Sequence, residues 1–157
     1  MENKMKINTR IFGEIEVEED KIIHFVNGIV GFPELKDFAL VFDEEKGDRS
    51  EIRWMQSVQE PNFAIPVIDP LAIKPDYNPV VEDELLTSVG EIKPEELLVL
   101  VTITVPKDIT KMSINLKAPI IINAAYKKAC QIIVEGDEYQ VKYPIYDILQ
   151  AAKKVGE

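Results

Sequence analysis

The chain has 157 residues, of which 46% are apolar and 29% charged, a length and balance that fit one domain spanning 1–157 and exclude a disordered chain. No apolar run approaches the roughly 18 residues of a spanning helix, and the opening MENKMKINTRIFGEIE carries no apolar h-region, so a cytoplasmic location with no membrane partner is expected. Residues 1–104 hold 10 Lys/Arg against 22 Asp/Glu, a net of −12, and residues 105–157 hold 8 against 6, a net of +2; the acidic part would repel phosphate, which argues against direct nucleic-acid binding and favours a basic partner.

In chain order, Ile7, Thr9 and Ile11 alternate with polar residues, as do Ile15 and Val17, and Gly13 between them predicts an opening hairpin. KIIHFV (21–26), FALVF (38–42), IRWMQSV (52–58) and FAIPVI (63–68) are short, β-branched or aromatic, and bounded by turn formers, so each predicts a strand. LLVLVTITV (97–105) predicts a long central strand with Val101, Ile103 and Val105 on one face and Thr102 and Thr104 on a wetter one. MSINLK (112–117) then predicts its hairpin partner. Gly136-Asp137 between QIIV and YQVKY predicts a third hairpin with Tyr139, Val141 and Tyr143 on one face. Helical signals are few: a turn at 33–38, a short helix over about 78–86 started by Pro79, and a C-terminal helix over about 146–155. The sum is a mainly β, antiparallel, barrel-like domain with protected edges.

Few residues could carry chemistry. His24 is the only histidine and Cys130 the only cysteine, so neither a zinc ligand set nor an internal disulfide can be assembled. No serine sits in a G-x-S-x-G elbow and no phosphate-loop lysine follows GIVGF (28–32), whose glycines read better as backbone devices. The acids 82–84 lack the alternating spacing of a calcium loop. Cys130 lies in LKAPIIINAAYKKACQII, which Pro119 and Asn123 divide into strand, connection and strand. Lys127 and Lys128 then fall in the connection, and Cys130 is expected at the start of a buried strand as an inert thiol. No catalytic, cofactor or metal residue is assigned.

Surfaces remain. Trp54, Phe63 and Tyr77 stand among prolines and the acids Asp69, Asp76, Glu82 and Asp83, a composition used by protein-binding faces, although Trp54 and Phe63 each also suit a core.

GIVGFPELKDFAL (28–40), WMQSVQEPNFAIPVIDP (54–70) and LLVLVTITVPKDITKMSINLKAPIIIN (97–123) together resemble the FliW family of flagellar assembly factors. The pairs W-x-Q-S, P-V-I-D-P and N-L-x-A-P, in that order, carry the resemblance over nearly the whole chain. It implies a small β-barrel-like bacterial protein without enzymatic activity or cofactor. Such proteins bind flagellin and, when free of it, bind CsrA, the RNA-binding repressor of flagellin translation, relieving repression. The resemblance favours docking away from the RNA site of CsrA over mimicry of RNA. From composition, Asp69, Asp76, Tyr77, Asn78, Glu82, Asp83 and Glu84 are expected to meet CsrA, and Trp54 with Phe63 to meet flagellin. A ligand-binding barrel interior near His24 or Cys130, and an acidic antagonist of some other basic protein, are the alternatives.

Overall fold

The computed structural model describes residues 4–10, 12–42, 52–79, 81, 83–91 and 93–155. Ile11, Glu82 and the acidic run 43–51 lie outside them. The chain opens with β1 (Lys4–Thr9) and β2 (Gly13–Glu18), an antiparallel pair in which Met5 faces Val17 and Ile7 faces Ile15. Gly13, at φ +70°, takes the left-handed conformation the turn requires. Thr9 Oγ1 closes it, donating to the Gly13 carbonyl at 2.8 Å and accepting from the Phe12 amide at 2.8 Å.

This hairpin is a sheet of its own. It rests on the rest of the molecule through the Arg10 amide, which donates to the Pro61 carbonyl at 3.1 Å, and through Phe12, edge-on to Trp54.

Seven strands then close into a barrel. They are β3 (Ile23–Phe25), β4 (Asp37–Phe42), β5 (Arg53–Ser57), β6 (Ala64–Ile68), β7 (Leu97–Thr104), β9 (Ile120–Asn123) and β10 (Lys128–Gln131). Around the ring the order is β3-β4-β5-β6-β7-β9-β10 and back to β3. Six of these pairings are antiparallel, and the closing one, β10 on β3, is parallel. The sheet is thus antiparallel, as expected, except at its closure, for a geometric reason: strand direction cannot alternate around an odd ring. Two short strands, β8 (Ser113–Ile114) and β11 (Tyr143–Pro144), continue outward from the end of β7.

Side-chain alternation along β6 and β7 builds two cores, one on each face. Val67 and Leu100 point into the barrel with Phe25, Phe38, Met55, Ile120 and Ile122, while Ile68, Val101 and Ile103 point outward onto Ile114, Leu116 and Ile145. This explains why LLVLVTIT reads as a nearly unbroken apolar run: at its middle both faces are covered, Leu100 and Val101 being buried, while Leu97 at its start is exposed. Thr102 and Thr104 are indeed the wetter positions, but Val105 lies past the strand end and is exposed.

Four expectations shift. The third hairpin does not form: after β10 the chain runs without strand pairing to Tyr143, Tyr139 is buried in the outer core, Val141 is exposed, and β11 pairs with β8 instead. The long hairpin partner of β7 is only Ser113–Ile114, because Asn115 turns the chain by accepting from the amides of Lys117 and Ala118 at 3.0 and 3.1 Å. The helix expected over 78–86 is a 3-10 helix at Asp83–Val89, and the turn at 33–38 gives way to β4 from Asp37. The C-terminal helix α1 (Tyr146–Val155) stands where the spacing predicts it.

Candidate functional site

The acidic loop after β6 is built by local hydrogen bonds. Asp69 caps the turn Pro70–Ala72, its Oδ1 accepting from the Leu71 amide at 2.9 Å, and Pro70 supplies a preset φ at the first position. The Lys74 ammonium then sits 2.9 Å from the Asp76 carboxylate. That hydrogen bond holds the Asp76 carboxyl below its ordinary value and the Lys74 amine above its own, so both are charged at neutral pH. Asp76 and Asn78 are exposed.

Tyr77 is not part of that surface. Its ring is buried edge-on against Tyr139 at 4.7 Å, and its hydroxyl donates to the Leu116 carbonyl at 2.6 Å. The Tyr139 hydroxyl in turn accepts from the Asn78 amide at 3.0 Å. The two tyrosines therefore clasp the loop onto the outer core, and the expectation that Tyr77 meets a partner directly is corrected. Its apolar and acidic neighbours in sequence hid this, since the acceptor comes from a residue 39 positions away.

Burial, and next the neighbouring Tyr139, push the Tyr77 phenol well above its ordinary value. A raised folded-state value means the neutral form is favoured on folding. The resulting stability is complete below the unfolded value near 10 and is lost as pH climbs above it. Tyr77→Phe should thus flatten the alkaline limb of a stability-against-pH curve. At neutral pH it should cost about 1–3 kcal/mol, because the buried Leu116 carbonyl loses its donor; thermal unfolding between pH 7 and 11 reads both effects.

The second acidic piece hangs on a different support. Asp83 and Glu84 open the 3-10 helix Asp83–Val89, while Glu82 lies outside the described residues. The far end of that helix is pinned where Asn123 Nδ2 donates to the carbonyls of Val89 and Glu91 at 2.9 and 3.1 Å. Asp69, Asp76, Tyr77 and Asn78 thus share one loop, with Asp83 and Glu84 on a separate short helix.

Trp54 and Phe63 do not make one patch. Trp54 meets Phe12 of the hairpin, whereas Phe63 packs on the barrel core, 4.8 Å from Phe32 and 6.1 Å from Phe38. His24 is exposed and satisfied locally, its Nδ1 2.8 Å from Asp37 Oδ1 across the β3–β4 pair.

Cys130 does lie on a strand, but β10 begins at Lys128 and it is Ala129 that faces the barrel core. The half-buried Cys130 carries a hydrogen bond to Ser88 of the 83–89 helix, and burial pushes its thiol up against the smaller opposing effect of that bond. A raised thiol is a poor nucleophile at neutral pH.

A cavity of about 290 Å³ opens at one side of the barrel, lined by residues that include Ile29, Phe32, Met55, Ile65, Asn115 and Gln131. Neither His24 nor Cys130 lines it, so the geometry expected of a ligand site around those residues is not met. Among the described residues no group of three or more His, Cys, Asp or Glu is placed to hold a metal ion. Val30 and Phe32, exposed at the rim, were not singled out by sequence; the tight turn bridging Ile29 and Phe32, with Gly31 at φ +89°, places them there.

Residues 6–145 match the family model described as FliW protein. The flagellar assembly factor FliW of Lachnoclostridium phytofermentans is 51% identical over 155 residues, covering 98% of this chain and 99% of that protein. The protein of the same name from Lachnospira eligens is 52% identical over 147 residues, covering 93% and 97%. A crystal structure of the flagellar assembly factor FliW superposes with a TM-score of 0.82 at 30% identity, covering 90% of this chain and 97% of that one.

Proposed function

Because the chain belongs to the FliW family, we propose that it is a flagellar assembly factor that works by exchanging two protein partners and not by catalysis. Free of flagellin, it binds CsrA and lifts the repression of flagellin translation. As flagellin accumulates in the cytoplasm it occupies the protein, CsrA is released, and repression returns. The match along nearly the full length of curated flagellar assembly factors carries this reading.

The site geometry supports it on the CsrA side. A protein that grips RNA must present basic surface, and the −12 charge of residues 1–104 attracts such a surface over a Debye length of about 10 Å at 0.1 M salt. The exposed Asp76 stands on a loop fixed at its far end, and Asp83 and Glu84 belong to a short helix pinned at its own, which limits the order a partner must impose.

Co-purification tests the reading. Flagellin and CsrA should each be retained by the immobilised chain, and adding flagellin should release bound CsrA. Retention of neither partner would refute the proposal.

A further inference from the structure

Thr102 and Thr104, the wetter positions of β7, line the cavity at the side of the barrel. They alternate with Val101 and Ile103, which point onto the outer core, so they share the inward side with Leu100. Neither hydroxyl has a hydrogen-bond partner among the described residues. Asn115 lines the same cavity; its Oδ1 is engaged by the Lys117 and Ala118 amides, which leaves its Nδ2 with both hydrogens to donate. The buried Ile29, Met55 and Ile120 supply an apolar floor. Gln131 fixes the wall: its Oε1 accepts from the Val30 amide at 2.8 Å and its Nε2 donates to the Ala118 carbonyl at 3.1 Å, tying the turn at 29–32 to the segment entering β9.

The chain is 29% charged, yet among the described residues no ionisable side chain lines this cavity. An ion entering it would give up hydration with no counter-charge to meet it. The volume, about 290 Å³, is nearly twice the roughly 150 Å³ that suffices for benzene. We propose that the cavity is a binding site for a small uncharged aromatic molecule of about two fused rings, its apolar body on Met55 and Ile120 and its polar head at Thr102. An N–H or O–H on the ring donates to the Thr102 hydroxyl, and a hydroxyl head also accepts from Asn115 Nδ2. Poorly held water leaving the apolar floor favours entry, and walls fixed beforehand reduce the ordering that binding costs. Binding here needs neither CsrA nor flagellin, so it stands or falls apart from the partner exchange.

Indole is the probe, titrated into the full chain with isotope-labelled methionine methyls and backbone amides. The Met55 methyl and the Val30, Thr102 and Thr104 amide signals should shift together and saturate, with a Kd tighter than about 1 mM. An indole carboxylate, the same ring bearing a charge, should bind at least about tenfold more weakly. Thr102→Val should weaken indole about threefold to tenfold and leave benzothiophene, a ring of similar shape without the donor, unchanged. Equal losses for both rings, or none, would refute the contact at Thr102. Ile65→Phe should abolish the shifts, because Ile65 lines the cavity from the barrel-facing side of β6. Thr104→Phe serves if that variant does not fold. No saturable shift by about 5 mM indole, or equal shifts in the parent and the filled variant, would overturn the proposal.

Discussion

Gly28→Ala should destabilise the protein by about 3 kcal/mol or more, against about 1–2 kcal/mol for Gly31→Ala three residues along. Both glycines hold positive φ, +69° and +89°, so any side chain there carries the left-handed penalty. Only Gly28 adds a collision: a Cβ would lie 2.4 Å from the Pro33 carbonyl oxygen and 2.6 Å from its carbonyl carbon and Cα. These are backbone atoms, so no rotamer change clears them, and the turn leading to β4 must move. At Gly31 nothing lies within 4 Å of the added atom. Urea denaturation of the two variants, compared at equal slope, reads the difference. Equal costs would mean that the Pro33 segment yields freely. The same turn carries Phe32 onto Phe63, so a displaced Pro33 should also loosen the rim of the barrel cavity.

The strands were legible because their signal is local. β1 to β7 each place β-branched or aromatic residues at period two between turn formers, and Ile7 opposite Ile15 or Leu40 opposite Met55 follows from that pattern. Pairing partners distant in sequence were not legible. Nothing in KACQ announces that Lys128 will lie beside His24, because the parallel closure depends on the number of strands in the ring. Gly136-Asp137 has hairpin chemistry, yet the gain from burying Tyr139 against Tyr77 outweighs a local turn preference. Cys130 was placed on a strand correctly but on the wrong side, since a one-residue difference in register exchanges the core and outer faces. In the candidate site, the exposure of Asp76 was legible from composition. The role of Tyr77 was not, because burial against Leu116 and Tyr139 is settled only when three distant segments meet.

Charge reversal at Asp76, Glu82, Asp83 and Glu84 should weaken CsrA binding about ten- to several-hundredfold at low salt. Each exposed ion pair across a wet interface contributes roughly 0.2–1 kcal/mol, and reversal replaces attraction by repulsion. Asp76 should contribute least, because Lys74 at 2.9 Å already neutralises part of its field, and the segment 82–84 should dominate. Asp69 is left intact, since its carboxylate caps the Pro70–Ala72 turn and its loss would disturb the loop itself. The parent's affinity should fall steeply as salt rises and the screening length shrinks, whereas the variant's should change little. Titration of CsrA at 0.05 and 0.5 M salt separates the two curves. Reversal of Glu14 and Glu16, acids of the β1–β2 hairpin, is the control. If that control loses as much affinity as the loop-and-helix variant, CsrA reads the diffuse charge of the chain; if neither loses any, the acidic patch has no part in the complex.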